Sequence, residues 1–320
     1  MRSFRSCVLG IAPGEATFAS RGFHGRDPQA RRHLEQIGST FLEGYNAALA
    51  CDELDALGCR LNSIDANLRG FAFEGAAMSL SLLDHLTLWD KHRLQRFLDG
   101  PGSPHVYMLH VGAGWALARL PWTRLWVERR FTQLDPLLKW LALDGYAFHE
   151  GYFHWKRCLG GDSLRGTLSP YSRRVFDQGL GRALWFVGGA DIDYIAETIA
   201  TFQPPRRKDL WRGVGLACAY AGGVGRAVVD ALAAVAKPYA PQLAQGAAFA
   251  AKARERAGNP AECTDIACEV LCGVSTAEAA AVTDAALVSL PEDGPEPAYE
   301  VWQRRIQARF AGEKVGELKS

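Results

Sequence analysis

The chain has 320 residues, 48% of them apolar, and 36 Lys plus Arg against 35 Asp plus Glu leave a net charge of +1. That is ample apolar material for a sizeable core, and the even charge balance argues against a nucleic acid or an anionic membrane as partner. The longest uncharged apolar run, Gly213 to Gly225, is bracketed by Arg212 and Arg226; it falls short of the roughly 20 residues that span a bilayer.

At the N-terminus, Cys7–Ile11 behind Arg2 and Arg5 is too short for a signal h-region, so a cytoplasmic protein is expected. Asp27-Pro28 forms an N-cap and first-turn pair, after which Leu34, Ile37, Phe41, Tyr45 and Ala48 recur at steps of three and four residues. This spacing predicts an amphipathic helix. Leu54, Leu57, Leu61 and Ile64 repeat the pattern, while β-branched alternation bounded by hairpin turns is almost absent. The expected fold class is all-α. Breaks fall at Gly100–Pro104, Gly160-Gly161, Gln203–Pro205, Pro238–Pro241, Gly258–Pro260 and Pro291–Pro297, each closing one or two helices. One domain over 1–290 is expected, with 291–320 loosely attached. The eight cysteines follow no CxxC spacing and read as reduced thiols; Cys263, Cys268 and Cys272 lack a fourth zinc ligand.

The chain is also similar to itself. Gly38–Tyr45 and Gly145–Tyr152 share Gly-x-small-Phe-x-Glu-Gly-Tyr, and Gly70–Gly75 is the same pattern with one deletion. Looser copies start at Gly114, Gly181, Gly215 and Gly246, giving seven starts separated by 32, 44, 31, 36, 34 and 31 residues. Such a period predicts about seven helical hairpins stacked as an open α-solenoid or a closed α/α toroid. Glycine inside a helix costs about 1 kcal/mol relative to alanine, so Gly112 with Gly114, Gly179 with Gly181 and Gly213 with Gly215 call for close backbone packing in return.

Several blocks carry a resemblance. Arg21-Gly22-Phe23, Phe73–Met78, Tyr107–Arg119, Asp144–His154, Phe176–Arg182, Asp209–Ala217 and Gln245–Ala253 resemble the signature blocks of a bacterial family classed as a domain of unknown function. Its members are often found among enediyne-type polyketide and other specialised-metabolite genes. The resemblance covers residues 2–305 and implies a biosynthetic role; it brings no catalytic residues with it.

Chemistry-bearing residues are densest in Phe148–Trp155. His149 and His154 are five apart, which excludes the zinc-protease motif, whereas Glu150 and His154 at i and i+4 share a helical face. That pair suits general acid/base catalysis or a transition metal, and the surrounding aromatics are expected to desolvate Glu150 and raise its pKa; the competing reading is a hydrogen-bonded tie between helices. Glu43 and Glu74 occupy the repeat position of Glu150, as a repeat-defining contact or a ring of carboxylates facing a cavity. Asp191, Asp193 and Glu197 faintly resemble the acids of cationic cyclases. His110 and Asp177 are secondary catalytic candidates. Asp177 with Arg182 and Asp209 with Arg212 read as ion pairs or, with Arg206 and Arg207, as an anion site. Eight of nine Trp lie between Trp89 and Trp211 and, Trp115 among them, suit an apolar or cation-stabilising pocket. Tyr107–Gly114 is a weak dinucleotide-site match and Gly161-Asp-Ser163 a weak esterase match.

The expected function is an enzyme of bacterial specialised metabolism performing acid–base chemistry, cyclisation or isomerisation, on an apolar polyketide- or polyene-like intermediate, without a predicted cofactor. The alternative is a non-catalytic helical-repeat protein that binds an intermediate or holds a partner enzyme.

Overall fold

The computed structural model describes residues 4–87, 90–120, 134–159 and 167–312. Trp89 and the Gly160–Ser163 segment lie outside them. Several helix starts are set by local capping. Asp27 accepts a hydrogen bond from the Gln29 N–H at 2.8 Å and opens α1 (Pro28–Ala50); Asp65 accepts from Asn67 N–H at 2.9 Å and opens α2 (Ala66–Leu86). The remaining long helices are α3 (Val106–Ala118), α4 (Lys139–Phe153), α5 (Pro170–Val187), α6 (Pro204–Ala221) and α7 (Ala240–Ala257). Two more follow, α8 (Thr276–Leu287), opened by a Ser275–Glu278 capping box, and α9 (Ala298–Phe310). There is no strand among the described residues. The dinucleotide-like Tyr107–Gly114 stretch lies wholly within α3.

Each long helix packs on the next from α1 to α7, and the seven repeat-start glycines fall one on each. Short amphipathic helices return the chain between most of them. The Ile192–Ala200 helix, for example, buries Ile192, Ile195 and Ile199 and exposes Asp193 and Glu197. Asp191 caps that helix by accepting from Tyr194 N–H at 3.1 Å, so this member of the acidic set has a structural task.

Glycine is required where long helices cross. A Cβ on Gly114 would overlap the Ala142 carbonyl and one on Gly145 the Val111 carbonyl, so α3 and α4 touch backbone to backbone. Gly181 against Leu210, Gly213 against Gln178, Gly215 against Leu243 and Gly246 against Arg212 do the same for α5, α6 and α7. The glycine pairs expected to serve packing do so. Beyond these crossings, the end of α7 also reaches the start of α2: Arg254 donates to the Asn67 carbonyl at 3.3 Å and the Tyr220 carbonyl at 2.6 Å.

The segment after residue 290 departs from expectation. α9 buries Tyr299, Trp302, Gln303 and Ile306, and the Trp302 indole donates to the Thr283 carbonyl at 2.8 Å. Gln303 donates to Gln178 at 2.9 Å and accepts from Arg212 at 2.7 Å. Tyr299, Trp302 and Ile306 form an apolar stripe at helical spacing, which outweighs the proline-rich stretch before it.

Candidate functional site

Glu150 lies in the last turn of α4, and His154 stands just past its end with φ −125°. The Glu150 carboxylate accepts from Arg157 at 2.6 Å, with His149 Nδ1 at 3.5 Å and His154 Nε2 at 3.9 Å. The fold therefore brings Glu150, His149 and His154 together in one cluster, with Arg157 added. Its electrostatics differ from expectation: burial raises the Glu150 pKa, but His149, His154 and Arg157 together outweigh burial and hold it below the usual carboxylate value. A carboxyl whose ionised form is favoured by its neighbours is a poor proton donor. The cluster opens onto a cleft of about 670 Å³ lined also by Ile11, Glu15, Arg119 and Phe153. Among the described residues no group of three or more His, Cys, Asp and Glu is placed to hold a metal ion. Glu150→Gln is expected to lower stability by about 1–3 kcal/mol, because a neutral amide pairs poorly with Arg157 at a buried site; denaturant unfolding measures it.

The other candidates are mostly engaged elsewhere. Asp177 and Arg182 do not pair with each other. Arg206 donates to Asp177 at 2.7 Å, and Arg182 pairs with Asp144. Five residues along a helix is more than one turn, so Asp177 and Arg182 point to different neighbours. Asp209 does hold Arg212, at 2.8 Å, together with Arg174. Arg207 donates to the Ala200 and Phe202 carbonyls and closes the C-terminus of the preceding helix. Arg206 and Arg207 are thus committed within the fold rather than presented to an anion. His110 Nδ1–H donates to the Val106 carbonyl at 2.8 Å on its own helix, and burial lowers its pKa. Glu43 is exposed whereas Glu74 and Glu150 are buried. Among the described residues only short helices precede α1.

Glu74 is the residue the fold singles out. It sits in the middle of α2, 1% exposed, and neither carboxylate oxygen has a hydrogen-bond partner. Burial pushes its pKa up to about 7, against the pull of Arg182 and with a further push from Asp144. It lines an apolar cavity walled by Phe41, Phe71, Trp115, Phe148, Tyr152 and Phe186. Trp115 is the hub of that wall, with ring centroids 4.7 Å from Phe41, 4.9 Å from Phe148 and 5.9 Å from Tyr152. Its indole N–H makes no hydrogen bond within normal geometry among the described residues, but it acts on the Glu74 carboxyl and draws its pKa down a little against the effect of burial. An unpaired carboxyl costs several kcal/mol in such surroundings if ionised, so burial favours its protonated form.

A second apolar cavity lies beyond, lined by Met108, Val111, Arg182, Tyr220, Phe249 and Trp302. Phe71 of the first wall meets Tyr220 of the second edge-on, centroids 5.2 Å apart. Arg182, which faces the second cavity, is the cation acting on Glu74 in the first.

Residues 1–310 match the family described as "Protein of unknown function (DUF1702)". The chain belongs to this family. Neither curated proteins nor solved structures give a match. No single helix among the described residues is long and apolar enough to cross a membrane.

Sequence reasoning offers Glu74 as a repeat contact or a carboxylate facing a cavity and Trp115 as part of a pocket, but gives the leading chemistry to Glu150. The aromatic wall is half visible in the sequence: Phe148 and Tyr152, four apart on α4, read there as neighbours of Glu150, yet they face Trp115 and the cavity while Glu150 faces the cleft. Asp144, Gln178 and Arg119 carry no pattern of their own.

Proposed function

We propose that this protein is an enzyme that performs acid–base chemistry, cyclisation or isomerisation, on an apolar polyene-like intermediate of bacterial specialised metabolism, with Glu74 as the acid. The observation that carries the reading is the buried, unpaired Glu74 carboxyl in an aromatic-walled cavity. Protonated Glu74 would donate its proton to a carbon–carbon double bond. Loss of a proton from the carbon next to the cation to the Glu74 carboxylate, either directly or after a second double bond has attacked to close a ring and move the cation, then completes isomerisation or ring closure with no net change in protons. The ring faces of Trp115 and Phe148 suit a transient carbocation, and a pKa near 7 makes both protonation states of the acid available. The biosynthetic setting rests on the sequence blocks that resemble the family's.

For the architecture, we propose repeats of one helical hairpin wrapped towards a closed ring. The glycine crossings along α1 to α7 and the hydrogen bonds from the end of α7 to the start of α2 support this.

The test is mass spectrometry of metabolites from a strain lacking the gene, complemented with wild type, Glu74→Gln or Glu150→Gln. Glu74→Gln is expected to cut product formation about 10²–10⁴-fold, the contribution of a positioned general acid, and Glu150→Gln to cut it far less. The reverse order would return the acid's role to Glu150 and His154. Full product with both would favour the non-catalytic reading, in which the open cleft at Glu150 binds an intermediate or partner.

A further inference from the structure

The open cleft and the apolar cavity share a wall. Phe153 and Glu15 line both, and Arg21 lies over the Phe153 ring, 5.0 Å from its centroid, while pairing with Glu15. One side of this partition is polar; the other is aromatic and ends at Glu74.

Charge in the cleft is uneven. Glu150 is matched by Arg157 and Glu15 by Arg21. Arg119 is unmatched: it donates to the Tyr45 hydroxyl at 3.0 Å and has no acidic partner among the described residues. Its guanidinium presents five donors in a planar fork suited to two oxygens. On the same cleft the buried His149 directs Nδ1 at Glu150, 3.5 Å away. A single free guanidinium fits a carboxylate monoanion, whereas a phosphate dianion calls for a second cation, and Arg157 is committed to Glu150.

We propose that cleft and cavity bind one amphiphilic substrate, an apolar unsaturated chain ending in a carboxylate, with the carboxylate on Arg119 and the chain passing Phe153 towards Glu74. This deepens the assignment of Glu74 and rests on it for where the chain reacts. The cavity holds about 40 Å³, against roughly 150 Å³ for one that takes benzene. The chain therefore enters by displacing a wall, and half-buried Phe153 is the aromatic wall residue that borders the cleft.

Titration of the purified full chain with linoleic acid, its methyl ester and linoleyl phosphate, below their micellar concentrations and read by tryptophan fluorescence, tests this. The acid is expected to bind at least about tenfold more tightly than the ester. Arg119→Ala should reduce the acid to the affinity of the ester while leaving the ester unchanged, and Arg119→Lys should restore part of the difference. Phe153→Trp should weaken acid and ester alike. Equal binding of acid and ester, no binding of either, or an Arg119→Ala variant that still prefers the acid would overturn the proposal; tighter binding of the phosphate than the acid would replace the carboxylate with a phosphate head. The titration and the product assay fail separately. The expected binding pattern with a fully active Glu74→Gln would remove the acid and keep the amphiphile site, and the reverse result would keep the acid alone.

Discussion

Raising the pH from about 5 to about 8 is expected to destabilise the wild-type protein relative to Glu74→Gln by about 2–3 kcal/mol, read as the difference between their urea unfolding free energies. The sign follows from the direction in which burial moves the carboxyl. Glu74 is pushed from 4.5 up to about 7 in the fold, so the folded state keeps its proton over a range in which the unfolded chain has released it. The stabilising contribution is complete below about 4.5 and is lost as pH rises through about 7, at roughly 1.4 kcal/mol for each pH unit crossed between the two values. Burial of His105 and His149 lowers their pKa values and gives the opposite slope at lower pH. Both are common to the two proteins and cancel in the difference. A parallel pair of pH curves would mean that Glu74 is paired or hydrated in solution, and the proposed acid would lose its physical basis. The same buried carboxyl that weakens the fold at high pH is the one that can hold a proton near neutrality, as expected where a site is built at the expense of stability.

Gly114→Val and Gly181→Val should each cost more than about 2 kcal/mol, by the rule for overpacked cores. In both cases the added carbon meets backbone, the Ala142 carbonyl at Gly114 and the Leu210 carbonyl at Gly181. Backbone cannot rotate away as the tip of a side chain can. Gly14→Ala is the control, since nothing lies within 4 Å of that position, and it should fall within about 0.5 kcal/mol of wild type. Thermal or denaturant unfolding of the three variants measures the contrast. Valine variants as stable as wild type would mean that the helices separate at these crossings at little cost.

These glycines are legible without coordinates. A glycine in a helix interior is a local cost that the sequence displays, and its recurrence at Gly112 and Gly114, Gly179 and Gly181, and Gly213 and Gly215 points to one cause. The apolar stripes are legible for the same reason, because helical period is written in adjacent residues. α9 sets two local signals against each other: the prolines between 291 and 297 suggest a loose segment, and the Tyr299, Trp302 and Ile306 stripe overrides them once it has a core to pack on.

The site divides differently. Residue spacing by itself pointed to Glu150 and His154 as neighbours, since they lie four apart; that His149 also comes within 3.5 Å of Glu150 is seen only in the fold. Only the tertiary structure decided that this group is neutralised by Arg157 and opens to a cleft, while Glu74 is left without a partner. That outcome depends on α2, α3, α4 and α5 bringing Phe71, Trp115, Phe148 and Phe186 together around one carboxyl. A carboxyl's pKa is set by what surrounds it in space, whereas a helix's period is set by its neighbours in sequence, so the chain displayed its helices openly and kept its acid hidden until it was folded.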